Sequence, residues 1–96
     1  MKRIEIKKIL AKEPVGEKVL VKGWVRNRRA SKNVAFITLN DGSVLSNLQI
    51  VAEVEKIGQE LLSRISTGAS LAVEGILQES QGAGQKVELV ADDITI

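Results

Sequence analysis

The chain has no cysteine and no histidine among its 96 residues. The first absence removes disulfides, thiolate metal sites and thiol nucleophiles, and it suits a reducing, cytoplasmic setting. The second removes the commonest general base and the commonest transition-metal ligand. There is one proline, no tyrosine, one tryptophan (Trp24) and one phenylalanine (Phe36). No apolar run approaches the roughly 18–20 residues that span a bilayer. The opening "MKRIEIKK" is charged throughout and lacks the apolar stretch of a signal peptide. No metal, cofactor or membrane is expected.

What is present is mostly aliphatic, with charge distributed unevenly. Residues 1–32 carry eleven Lys/Arg and three Glu, a net of +8, while residues 33–96 carry three Lys/Arg and nine Asp/Glu, a net of −6. A basic third on an acidic body suggests a local polyanion site.

Periodicity sets the elements. "IEIKKILAK" (4–12) places Ile4, Ile9 and Leu10 at near-helical spacing, and Pro14 and Gly16 punctuate it. "EKVLVKGWVRNRR" (17–29) alternates, with Val19, Val21, Gly23 and Val25 on one face and Lys22, Trp24, Arg26 and Arg28 on the other. Gly23 marks a bulge or a sharp coil. "ASKN" (30–33) is a loop, "VAFITLND" (34–41) a second strand, "DGS" (41–43) a turn and "NLQIVAE" (47–53) a third strand. In "EVEKIGQELLSRIS" (53–66), Val54, Ile57, Leu61 and Ile65 recur at three- and four-residue steps, which predicts one amphipathic helix closed by Thr67-Gly68. "ASLAVEGILQES" (69–80) and "KVELVADDITI" (86–96) are strands, joined by the flexible turn "QGAGQ" (81–85). Asp92 and Asp93, adjacent on a strand, should face opposite sides.

Five short strands with one helix between the third and fourth, after a short N-terminal helix, is the plan of an all-β, five-stranded Greek-key oligonucleotide/oligosaccharide-binding (OB) barrel. Residues 1–96 read as one such domain. Its ligands lie across strands two and three. On that face alternation points Phe36 and Gln49 outward, and it gives Arg26 and Arg28 the outward parity of the first strand. A ring stacks on a splayed-out base for roughly 1–3 kcal/mol. A glutamine amide reads a base edge. Arginines pair with phosphates. Trp24 shares the outward parity and reads as packing at the barrel rim. Arg29 and Lys32 read as solvated loop charges.

At these residues a resemblance appears. "VLVKGWVRNRRASKNVAFITLNDGSVLSNLQIV" and "STGASLAVEGILQESQGAGQKVEL" resemble the N-terminal anticodon-binding domain of class IIb aminoacyl-tRNA synthetases. The "NDGSVLSNLQ" connection favours the asparaginyl branch. Ala30 departs from the acidic residue common after the paired arginines. The resemblance implies a tRNA partner held by its anticodon loop, of the asparagine type. Phe36 would stack on the central base, a uridine, and Gln49 would hydrogen-bond its edge. Arg28 would contact the anticodon, with Arg26 and Arg29 on the phosphates. It also implies a separate class II catalytic domain if the chain is part of a longer one, since these residues hold no site for activating an amino acid. Two alternatives remain open. One is a free-standing, engineered or reconstructed barrel that binds single strands without preference. The other is a barrel that serves only as a protein-interaction scaffold.

Overall fold

A computed structural model describes residues 2–12, 15–80 and 87–96. Helix α1 (Ile6–Lys12) precedes strands β1 (Lys18–Ala30), β2 (Val34–Asn40) and β3 (Leu48–Glu53). Two short helices follow, α2 (Val54–Ile57) and α3 (Gln59–Ser63), then β4 (Ser70–Glu79) and β5 (Val87–Thr95). The strands close into a barrel in the order β1-β2-β3-β5-β4. All neighbours are antiparallel except β3 and β5, which run parallel. This is the five-stranded barrel expected from the pattern. The "QGAGQ" turn lies outside the described residues.

The inward sets are those the alternation picks out. Val19, Val21 and Val25 of β1, Ala35, Ile37 and Leu39 of β2, Leu48 and Ile50 of β3, and Leu71, Val73 and Leu77 of β4 are buried together. Past Gly75 on β4, Leu77 goes in and Ile76 stays out. Helix α1 adds Ile6 and Ile9, both fully buried. Each large aliphatic removed from water stabilises the fold by roughly 1.5–3 kcal/mol.

Helix α1 is fixed by the "DGS" turn. A carboxylate oxygen of Asp41 accepts from the Ile6 amide at 2.9 Å, and the Ser43 hydroxyl accepts from the Lys7 amide at 3.1 Å. The other Asp41 oxygen accepts from the Ser43 amide at 3.0 Å and its hydroxyl at 2.6 Å. Burial pushes the Asp41 carboxyl up, but these hydrogen bonds outweigh it and hold the group below the ordinary value of 3.8.

Three expectations are corrected. The single helix over 53–66 is two, broken at Gly58, whose φ of 100° and ψ of 134° only glycine adopts freely. The break shifts the helical phase by one residue, so Leu62 is buried where Leu61 was expected, alongside Ile65. Helix α3 also ends at Ser63, ahead of the turn at Thr67-Gly68. At Gly23 the pairing with β4 runs on without a bulge, which leaves the coil of the two alternatives read there. Here β1 passes from β4 pairing to β2 pairing, and a Cβ would collide with the Asn40 carbonyl oxygen. Finally, a β5 bulge sets Glu74 opposite Asp93 but Gly75 opposite Ala91. Ala91 and Ile94 then face the core, and Asp92 and Asp93 both stay out of it. Asp92 pairs with Lys56, which lowers the Asp92 pKa and raises that of Lys56. Among the described residues, no helix is long and apolar enough to cross a membrane.

Candidate nucleic-acid interface

Strand register aligns the outward side chains in two rungs. In the first, Arg29 of β1 sits opposite Phe36 of β2, Phe36 opposite Val51 of β3, Val51 opposite Val90 of β5, and Val90 opposite Ile76 of β4. This rung is apolar, with a guanidinium at one end. The Arg29 guanidinium lies 5.4 Å from the Phe36 ring centroid, within cation–π reach. Phe36 and Val51 are only half-buried. With Asn33, Val34, Glu53, Gln78 and Val90 they line a cavity of about 430 Å³.

The second rung is polar and runs Asn27, Thr38, Gln49, Glu88, Gln78. Glu88 is 8% exposed despite its outward position. One of its oxygens accepts from Gln49 Nε2 at 2.9 Å, and the other from Gln78 Nε2 at 2.7 Å. A buried carboxylate needs such donors, because leaving its oxygens without partners costs several kcal/mol.

The arginines are not arranged as the alternation of β1 suggests. A β-bulge between Val25 and Asn27 inserts Arg26 as an extra residue. Beyond it, inside and outside exchange. Asn27 and Arg29 pair with the outward Thr38 and Phe36, while Arg28 pairs with the inward Ile37. The outward placement of Arg28 is therefore overturned. Its Nη1 donates to the Ile65 carbonyl at 3.2 Å, and its Nε is buried without a partner. Arg29, read from the sequence as a solvated loop charge, stands beside the ring instead. Arg26 is exposed at the bulge.

Phe36, Gln49 and Arg29 thus come together on one face, with Arg26 at its edge and Arg28 elsewhere. Sequence reasoning missed Glu88 and Gln78. A signal existed, since Glu88 lies between the inward Val87 and Leu89, and Gln78 follows the inward Leu77. What one strand's alternation omits is the neighbour. Trp24 is 39% exposed and lies against Gly42. It lines a second groove of about 440 Å³ with Arg3, Lys22, Leu71 and Ile96, which shares no residue with the Phe36 cavity.

A closed five-stranded barrel of this strand order, with a ring and an amide outward on its second and third strands and a guanidinium beside the ring on its first, has the architecture of the OB class. The sequence agrees: residues 19–96 match the family of tRNA anticodon OB-fold nucleic acid binding domains, and the chain belongs to that family. Its full length is 54% identical to part of the asparagine–tRNA ligase of Parabacteroides distasonis, covering 20% of that protein. It is 51% identical over 94 residues, 98% of the chain, to the asparagine–tRNA ligase of Geobacter sulfurreducens, again covering 20% of the relative. The chain therefore spans about one fifth of the length of the curated relatives it matches. Among solved structures, asparaginyl-tRNA synthetase from Pyrococcus horikoshii complexed with asparaginyl-adenylate superposes with a TM-score of 0.85 at 20% identity, covering all of this chain and 22% of the other. An OBody bound to hen egg-white lysozyme superposes at 0.79 with 21% identity, covering all of this chain and 94% of the other. At these identities both show the fold alone.

Proposed function

We propose that this domain recognises the anticodon loop of a tRNA, of the asparagine type. Phe36 stacks on the central base, a uridine, and Gln49 bonds its Watson–Crick edge. Arg29 lies against the ring beside the stacked base and, with Arg26, meets the adjoining phosphates. Arg28 anchors the β1–β2 hairpin rather than touching RNA. The role is recognition. Activation of the amino acid belongs to a class II catalytic domain, in the four fifths of the ligase-like relatives that this chain does not span. The cytoplasm, where tRNA is charged, is the proposed location.

The observation that carries this reading is the Arg29–Phe36–Val51 rung beside the Gln49 rung. A barrel kept only as a scaffold has no need for its one phenylalanine on the outside. The test is a fluorescence-anisotropy titration with an asparagine anticodon stem-loop. Phe36→Ala should weaken binding by roughly 5- to 150-fold, the value of one base–aromatic stack. Unchanged affinity in the folded variant refutes the reading.

A further inference from the structure

The Phe36 face uses little of the positive charge in the first third of the chain. Of the eleven Lys/Arg in residues 1–32, seven lie at positions 2–22, ahead of Arg26 and Arg29. Two of the seven, Arg3 and Lys22, line the groove of about 440 Å³ beside Trp24. Register builds this groove from the outward side chains of three strands. Trp24 stands opposite Ser70 of β4, and Lys22 opposite Ala72, which in turn faces Thr95 of β5. Arg3 flanks the same stretch of β1 through its bridge to Leu20. Ser70 and Ala72 are small, so they form a low floor between the indole and the Thr95–Ile96 strand end. The "DGS" turn backs the ring at Gly42, and the rest of the ring stays exposed.

Among the described residues, neither Arg3 nor Lys22 is held in an ion pair. The one acid in the lining, Asp41, has both oxygens turned to donors on Ile6 and Ser43. Glu74 and Asp93 face each other one rung beyond Lys22 and bound the anion-accepting end of the groove. Lys22 and Trp24 lie two residues apart on one face of β1, about 6–7 Å, which is the reach from a nucleotide's phosphate to its own base. An indole stacks on any base through its π-face, and ammonium and guanidinium groups neutralise phosphate. Lys7 and Lys8, exposed on the first turn of α1, extend the basic track, because Asp41 ties that turn to the edge of the groove. We propose that the Trp24 groove is a second RNA site. It takes one unpaired nucleotide of a single strand, with the base on Trp24 and the phosphate between Lys22 and Arg3. The site shares no residue with the Phe36 cavity and does not rest on the anticodon reading.

Trp24 is the one tryptophan and the chain has no tyrosine, so intrinsic indole fluorescence reports on this groove. The experiment titrates the 96-residue chain with a single-stranded oligoadenylate of about eight nucleotides, within the length one OB barrel covers. The strand should quench Trp24 saturably, with an affinity that falls as salt rises. Lys22→Gln and Arg3→Gln should each weaken the quenching transition several-fold and flatten its log affinity against log salt by roughly 0.7. A strand that binds by anisotropy but leaves Trp24 emission unchanged is held elsewhere, and that result overturns the proposal. So does a strand that does not bind. Quenching with the same salt slope in both variants removes the phosphate contact and overturns it as well. A duplex of the same length that quenches equally shows that no base reaches the ring. Adenosine monophosphate that saturates at the same concentration as the strand makes the groove a small-molecule pocket. Trp24 emission that shifts with protein concentration, and not with RNA, makes it an interface between copies. Each of these three outcomes also overturns the RNA assignment.

Discussion

Arg28 and Arg29 are neighbours in sequence, and the bulge at Arg26 assigns them opposite duties, so exchanging each for alanine should give opposite phenotypes. Arg28 donates one hydrogen bond to the Ile65 carbonyl, tying the β1–β2 hairpin to the segment after α3. A bond from a charged donor contributes about 1.5–3 kcal/mol. Against it stands the buried, unpartnered Nε, whose desolvation costs on the order of 1 kcal/mol. Arg28→Ala should therefore destabilise the fold by about 1 kcal/mol net, or roughly 4–8 °C in Tm for a domain of this size. Arg29 is exposed, and its contact with Phe36 at an exposed site is worth about 0.5–1 kcal/mol at most. At the lower end of that range Arg29→Ala should lower Tm by about 2–4 °C, less than Arg28→Ala. RNA binding should show the reverse order. Losing Arg29 removes a stacking cation and a phosphate partner, which weakens binding several-fold and flattens the dependence of log affinity on log salt by roughly 0.7 per phosphate contact. Losing Arg28 should leave that slope alone. Thermal melts by circular dichroism and anisotropy titrations at three salt concentrations read both quantities. An Arg28→Ala variant that keeps its Tm but loses the salt slope would refute the assignment made by the bulge.

Other outcomes follow from the fold. Gly75→Ala should unfold the chain or cost several kcal/mol in urea denaturation, because a Cβ there meets the Val90 carbonyl oxygen, backbone that cannot yield. Gly58→Ala faces open space and suffers only its left-handed φ, so the same assay should read a milder loss of about 1–2 kcal/mol. The Asp41 carboxyl has a folded pKa below its unfolded value, so its stabilising contribution is complete above about pH 4–5 and is lost as pH falls through the folded value. Asp41→Asn should accordingly flatten the acid limb of a plot of urea midpoint against pH between about 5 and 2.

How much of this was legible in the sequence depended on whether one strand sufficed. Val34 to Leu39 alternate without interruption, and the structure places their two faces as the residues imply. Phe36 and Gln49 were readable for that reason. Arg28 was not, because a bulge is decided by a pair of strands, and nothing in "GWVRNRRA" marks which residue is extra. The same cause reverses the reading of Asp92 and Asp93. Gly58 was visible as a glycine inside a helical pattern, but the intact spacing of Val54, Ile57, Leu61 and Ile65 outweighed it, and the break appears only once the chain must curve back to β4. The Glu88 network needed the parallel pairing of β3 with β5, a contact between segments 39 residues apart. Alternation supplies the parity of Glu88 but not its partners.

The most direct test of where this protein meets RNA is backbone and side-chain chemical-shift mapping with an asparagine anticodon stem-loop. The account predicts the largest shifts at Arg29, Phe36, Gln49 and Val51, with intermolecular contacts from the Phe36 ring to the central base. Shifts concentrated instead around Arg3, Lys22, Trp24 and Ile96, with the Phe36 ring silent, would contradict it.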